Sequence, residues 1–376
     1  MSNPDFWGGA IPWVSPKDMK RTRLWAAVDH VTVKALKGGA RLAPAHSLLL
    51  VVRGMILAHT FPVARAEVSL AFNQDLKALI PRSDVDSEFL LWWLVANEAI
   101  LLAITAESTH GTKRMPMDGL QAVEIDLPSP TEQRAIAVAL NDVDALVEGL
   151  TRLIAKKREL KQAAMQQLLT GQTRLPGFHG EWEVKRLEEV GDIRSGGTPS
   201  TAQPHFWDGH FPWCTPTDIT GLDGRKYLTE TARTISQAGL KSSSAEVIPP
   251  RSLIMTSRAT IGECAINLVP MTTNQGFKNL VPFESVDVEF LYYMMTTQKN
   301  GLMALCGGST FLEISKKQLS VYEISIPGDR VEQVAIAAVL SDMDAELSAL
   351  EARRDKTRAL KQAMMQELLT GKTRLV

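Results

Sequence analysis

One unit written twice, 200 residues apart, constrains this 376-residue chain more than any other feature of its sequence. Glu132 to Leu175 aligns with Glu332 to Leu375 without a gap, and about 25 of the 44 paired positions are identical, a match too long for chance. Ala135-Ile136-Ala137, Asp142, Asp144-Ala145, Leu160-Lys161-Gln162-Ala163, Met165-Gln166 and Leu168-Leu169-Thr170-Gly171 all return 200 positions later. The stretches before them match more loosely. Phe6-Trp7-x-Gly9-x-x-Pro12-Trp13-x-x-Pro16-x-Asp18 returns as Phe206-Trp207-x-Gly209-x-x-Pro212-Trp213-x-x-Pro216-x-Asp218, and Asn73-Gln74-x-x-Lys77-x-Leu79 as Asn274-Gln275-x-x-Lys278-x-Leu280. The chain is thus a variable globular part with a nearly constant tail, twice over. The expected boundaries are 1–130 and 176–330 for the globular parts, 131–175 and 331–376 for the tails.

The copies differ at their openings. Before Phe206 lies a segment, Gly180 to His205, with Trp182, Leu187 and the loop Ser195-Gly196-Gly197-Thr198-Pro199, whereas the first copy has Met1 to Asp5 in that place. The first globular part is therefore expected to be shortened, or built from fewer elements.

Each tail reads as one long helix. Glu132 to Leu169 contains no Pro, a single interior Gly (Gly149) and many Ala, Leu, Gln, Lys and Arg. Pro130-Thr131 supplies a start and Thr170-Gly171 a stop. Ile136, Val143, Leu150 and Leu160 mark the packing stripe, with Ile336, Met343, Leu350 and Leu360 in the second copy, a coiled-coil-like spacing interrupted at Lys157 and Thr357. At 1.5 Å per residue such a helix is roughly 57 Å long. Charge is segregated along it: Glu132, Asp142, Asp144 and Glu148 come early, and Arg152, Lys156, Lys157, Arg158 and Lys161 late, with the same order after Glu332. A parallel pair would set like charges together and an antiparallel pair sets acidic halves against basic ones, so antiparallel pairing is expected. The plainer alternative is two amphipathic helices that each pack on their own globular part.

Composition limits the function. With 41 Lys and Arg against 42 Asp and Glu, the net charge is -1, so any nucleic-acid surface has to be local. Three cysteines, far apart and odd in number, form no metal knuckle and suit a reduced, cytoplasmic setting. No apolar run approaches the length of a membrane span. Catalytic lookalikes fail on their partners: Asn3-Pro4-Asp5-Phe6 corresponds to Gln203-Pro204-His205-Phe206, and Gly371-Lys372-Thr373 to Gly171-Gln172-Thr173 without an upstream phosphate-loop glycine. No catalytic residue and no metal ligand is expected.

Two divergent globular parts with FWxGxxPWxxPxD and NQxxKxLxP, each followed by a helix ending Leu-Leu-Thr-Gly, resemble the specificity subunits of type I restriction-modification systems over almost the whole chain. The resemblance implies an α+β fold of two target-recognition domains joined by two long antiparallel helices, with pseudo-twofold internal symmetry. It implies that each domain reads one half of a bipartite, asymmetric sequence of double-stranded DNA. The helices would space the halves and dock two modification subunits, which carry S-adenosylmethionine and methylate adenine. Restriction subunits, with ATP and Mg, would join the same complex. A helical scaffold that joins proteins without reading DNA is the competing class, and a self-contained enzyme a third.

Polar and basic residues at predicted strand ends are the candidate DNA contacts, because Arg suits guanine, Asn and Gln suit adenine, and Lys more often meets phosphate. In the second globular part these are Ser195 and Thr198 in the glycine turn, whose backbone donors suit phosphate, then Thr215 and Thr217, Arg258, Asn274, Gln275, Lys278, Ser309 and Thr310. In the first they are Lys17, Arg53, Asn73, Lys77, His110, Lys113 and Arg114. Each is also readable as a solvated polar residue.

Overall fold

The structure is a computed structural model and describes residues 3–107, 111–306 and 312–375. The chain divides into two compact units, Met1–Leu153 with Leu350–Val376, and Ile154–Ala349. Each unit holds one globular part, the first half of the tail that follows it and the second half of the other tail.

Unit 1 is built on two sheets. Strands β1 (Trp7–Val14), β2 (Arg23–Leu24), β3 (Asp29–Val31), β4 (Arg41–Ala43), β5 (Leu48–Val51), β6 (Val63–Ala66), β7 (Leu70–Phe72) and β8 (Leu76–Leu79) form the orders β3-β1-β7-β4 and β2-β6-β5-β8. A further pair, β9 (Ala106–Glu107) with β10 (Lys113–Arg114), lies apart. Every residue of β5 and β6 is buried, as a central strand covered on both faces requires. The helix Ser87–Ala96 starts where Asp86 accepts the amides of Glu88 and Phe89, and six successive residues, Phe89 to Leu94, are buried. Such a run belongs to a helix enclosed on all sides, here in the core that also contains Leu48 to Leu50, Ile136, Leu140 and Leu368.

Unit 2 repeats this plan with additions. Its strands are β11 (Trp182–Arg186), β12 (Gly191–Ser195), β13 (Trp207–Cys214), β14 (Tyr227–Leu228), β15 (Arg233–Ile235), β16 (Leu253–Met255), β17 (Cys264–Asn267), β18 (Thr272–Thr273), β19 (Lys278–Pro282) and β20 (Glu323–Pro327). They form the sheets β15-β13-β18, β12-β19-β16-β17-β14 and β11-β20. The helix Val288–Thr297 takes the place of Ser87–Ala96, again capped by an aspartate, Asp287. The extra strands β11 and β12 come from the opening segment. Among the described residues of unit 1 nothing lies beside β8 where β12 lies beside β19, so the first globular part is built from fewer elements.

The tails are helices of 39 residues each, Pro130–Leu168 and Arg330–Leu368. Within unit 1 they run antiparallel: Glu132 receives Arg374 at 2.6 Å, and farther along Asp144 receives Lys361 at 2.6 Å. Within unit 2 Glu332 receives Arg174 at 2.5 Å, Asp344 pairs with Lys161, and Glu346 meets Lys157 at 2.7 Å. The acidic-early, basic-late gradient thus serves this pairing.

The packing stripe corrects two expected positions. Ile136, Leu150 and Ile336 are buried, and Val143, Met343 and Leu350 half-buried, whereas Leu160 and Leu360 are 48% and 54% exposed. From Leu150 the alternating four- and three-residue steps lead to Ile154, Lys157 and Lys161, so the lysines occupy the seam and the leucines fall one residue outside it. No described helix is long and apolar enough to cross a membrane.

Candidate nucleic-acid interface

In unit 2 the sheet β12-β19-β16 ends in a polar face. Beyond β16 the chain continues through Thr256 and Ser257, both buried, to Arg258, and then turns at Ala259, whose φ of 56° is left-handed. Two hydrogen bonds fix this exit: Ser257 N donates to Gly276 O at 2.7 Å, and Ile314 N to Ser257 O at 3.0 Å. Arg258 therefore projects beside Glu313, which its Nη2 meets at 2.8 Å, and its side chain remains 43% exposed. Lys278 opens β19 opposite Ser195 of β12 and is almost wholly buried. Burial pushes its ammonium below the ordinary lysine value, with Glu313 pulling it up and Arg258 pushing it down. A desolvated cation beside a second one is poised to accept an anionic or carbonyl partner.

This end also carries buried polar atoms with no partner among the described residues: Ser257 Oγ, Arg258 Nε, Thr260 Oγ1 and Asn279 Oδ1. Unsatisfied groups gathered at one place point to a missing partner, since buried polar atoms are normally bonded.

The glycine turn closes the face. Gly197 N donates to Thr273 O at 2.9 Å and Trp213 Nε1 donates to Gly197 O at 2.9 Å. A Cβ on Gly196 would lie 1.9 Å from Asn274 O, and one on Gly197 2.3 Å from Ala245 N. The expectation that this turn offers its amides to phosphate is corrected here, because the Gly197 amide is used within the fold and both glycines are buried. Thr198, exposed, bonds instead through Oγ1 to Gln275.

The structure thus brings Ser195, Thr198, Arg258, Asn274, Gln275 and Lys278 to one sheet end. Asn274 also has a structural task, since its Oδ1 accepts Gly276 N at 2.8 Å. Thr215 is a capping residue, bonded at 2.6 Å to Asp218 in a box that starts the helix Pro216–Thr220, and Thr217 is exposed on that helix. Ser309, Thr310 and His110 lie outside the described residues. The sequence reading missed Lys316 and Lys317, exposed at the start of the helix Lys316–Ser320, which follows Glu313 along the same exit.

Unit 1 uses the same backbone places, with the arginine and the lysine kept and their acidic neighbour replaced. Arg53 follows β5 as Arg258 follows β16, and it bridges to Arg114 where Arg258 bridges to Glu313. Arg53 and Arg114 are exposed. Lys77 of β8 stands where Lys278 stands in β19. Asn73 caps the turn into β8, accepting Asp75 N at 3.1 Å and donating to Asp75 Oδ2 at 2.9 Å. Lys113 is held by Glu107 at 3.0 Å, and Lys17 by Asp29 at 2.6 Å in the other sheet's turn, so Lys17 is engaged away from this cluster. Of the thiols, Cys214 and Cys264 are buried, and burial pushes both far up from the ordinary cysteine value, which leaves them poor nucleophiles.

A family model described as the type I restriction modification DNA specificity domain matches residues 2–161 and again 179–358. The chain is 39% identical over 166 residues to the type I restriction enzyme MjaIX specificity subunit of Methanocaldococcus jannaschii, which covers 44% of this chain and 38% of that one. It is 31% identical over 160 residues to the type I restriction enzyme EcoR124I/EcoR124II specificity subunit of Escherichia coli, covering 42% of this chain and 40% of that one. It therefore spans about two fifths of the length of these two relatives. In fold it is similar to the crystal structure of the type I restriction-modification system S subunit from M. genitalium, at a TM-score of 0.58 and 15% identity over 96% of this chain and 93% of that one. The chain belongs to the type I restriction modification DNA specificity family, whose domain it carries twice.

Proposed function

We propose that this chain is the sequence-recognition subunit of a type I restriction-modification complex, each globular part reading one half of a bipartite, asymmetric DNA site. The observation that carries this reading is the repeated polar sheet end, in which Arg258 and Lys278 of unit 2 recur as Arg53 and Lys77 of unit 1 while Glu313 is exchanged for Arg114. A shared arginine and lysine whose neighbour is an acceptor in one unit and a donor in the other would discriminate different bases, because each base pair presents its own pattern in the major groove. Family membership supports the same reading.

The long helices would set the spacing between the half-sites and dock two modification subunits. In this reading S-adenosylmethionine and adenine methylation belong to those partners, ATP and Mg to the restriction subunits, and this chain catalyses no step. A band-shift titration of the chain with its methyltransferase partners tests it. One bipartite sequence should compete far better than its scrambled versions, and binding that all duplexes compete equally would overturn the reading.

A further inference from the structure

The difference between the two sheets leaves a groove in unit 1. In unit 2, β12 pairs Gly191 to Ser195 with Pro282 to Lys278, and Gly196 and Gly197 then enter the space between Trp213, Thr273 and Ala245. In unit 1, β8 is an edge strand. The residues that correspond to the walls of that space, Trp13, Ala40, Phe72, Asn73 and Lys77 among them, line a cavity of about 360 Å³. Apolar side chains nearby lack the cover that their counterparts have: Leu79 is half-buried where Leu280 is fully buried, and Leu127 is 41% exposed where Ile326, under β11, is 1% exposed. One pairing extends into the gap. β4 pairs with β7 as far as Arg41 opposite Phe72, whereas unit 2 has only the bridge from Ile248 to Met271.

We infer that unit 1 binds a polypeptide segment patterned like residues 180–199 of this chain, a short helix followed by a strand and two glycines. The segment adds a strand antiparallel to the free side of β8, and two glycines after it enter the cavity beside Trp13. The repeat itself argues for this occupant, since unit 2 seats such a segment on the same elements through backbone pairing, a mode that open sheet edges favour. Its apolar groups, like Leu187 and Val190 in the short helix Leu187–Val190 that precedes the strand and like Ile193 within it, face inward, all three being buried in unit 2. Its glycines are obligatory, because a Cβ at either place in unit 2 falls within 2.5 Å of neighbouring backbone.

The test uses the full chain and a labelled synthetic peptide of residues 180–200. One peptide should bind per chain, slowing amide exchange in residues 77–80. Gly196→Val with Gly197→Val in the peptide should weaken binding by about tenfold or more. In the chain, Ala40→Trp, which fills the cavity, should do the same, and the surface change Ile80→Asp at the end of β8 provides a second variant. The inference is overturned by no binding at about 100 µM peptide, by binding indifferent to all of these changes, or by protection confined to unit 2. It is also overturned if duplex DNA displaces the peptide, which would assign the groove to nucleic acid. None of these results alters the band-shift test of sequence recognition.

Discussion

The Lys361 ammonium lies 2.6 Å from Asp144 Oδ1 and 4.0 Å from the centre of the Trp92 ring. One tail helix thereby grips the other and, through the same atom, the buried helix of the globular part. Unit 2 repeats the arrangement, with Lys161 paired to Asp344 and 5.7 Å from the ring of Tyr293, whose hydroxyl donates to Asp344 Oδ2 at 2.6 Å. Lysine and aspartate are common to both copies, and only the aromatic ring is exchanged.

Lys361→Met is expected to destabilise unit 1 by about 1–3 kcal/mol, because Asp144 is left mostly buried and unpaired. The double swap Lys361→Asp with Asp144→Lys restores the ion pair but not the cation over Trp92. It should recover part of the loss and retain a deficit of about 0.5–2 kcal/mol. Urea unfolding measures both. A swapped chain as stable as the parent would remove the ring from the account.

Glu132 has its own acid limit. The Arg374 hydrogen bonds, both 2.6 Å, hold its carboxyl below the ordinary value of 4.5. A depressed carboxylate stabilises the fold above its unfolded pKa, and that contribution is lost as the pH falls through the lower folded value. Arg374→Gln should therefore lower Tm at pH 7, with the difference from the parent closing below roughly pH 4. A gap that persists unchanged at pH 3 would show that the arginine acts through something other than this carboxylate.

The corrected helix stripe makes a sharp contrast. Ile154 is 2% exposed and Leu160 is 48% exposed, although both are apolar residues of one helix. Ile154→Ala should cost about 2–4 kcal/mol, and Leu160→Ala and Leu360→Ala should stay within about 0.5 kcal/mol. A loss above about 2 kcal/mol for Leu160→Ala would restore the leucine-centred stripe.

How far a feature is legible in the sequence depends on its range. The tails are legible because helix signals are local and the repeat states them twice, and the charge gradient alone points to antiparallel pairing. Lys161 and Lys361 escape any reading in which hydrophobicity marks a seam position, because a half-buried lysine facing an aspartate fills one as well. Thr215 is readable as a cap, since Thr215-x-x-Asp218 precedes a helix, yet a threonine after a strand equally suits a DNA contact. Lys316 and Lys317 have no sequence signal, because the segment that carries them meets Arg258 through the pairing of Ile314 with Ser257. Ser257 and Asn279 sit inside strand-like runs, where polarity gives no hint of an unsatisfied cluster.

The polar sheet end predicts two kinds of defect that a salt titration separates. Arg258→Ala removes a fork-shaped donor and should cost about 1–3 kcal/mol, felt only by DNA that carries the preferred base in one half-site. Arg53→Ala should do the same for the other half-site, leaving the first intact. Lys316→Ala and Lys317→Ala instead remove solvated cations, weakening all duplexes alike and reducing the slope of log K against log salt by about 0.9 for each phosphate left without its cation. Lys278→Met keeps the buried stem and removes the charge, so it should lower affinity with little change in folding stability, as its desolvated ammonium contributes nothing to packing. Fluorescence anisotropy of the assembled complex, run at several NaCl concentrations on the preferred duplex and on single-base variants, resolves all five. Uniform weakening by Arg258→Ala across every variant would move that residue from base reading to backbone contact.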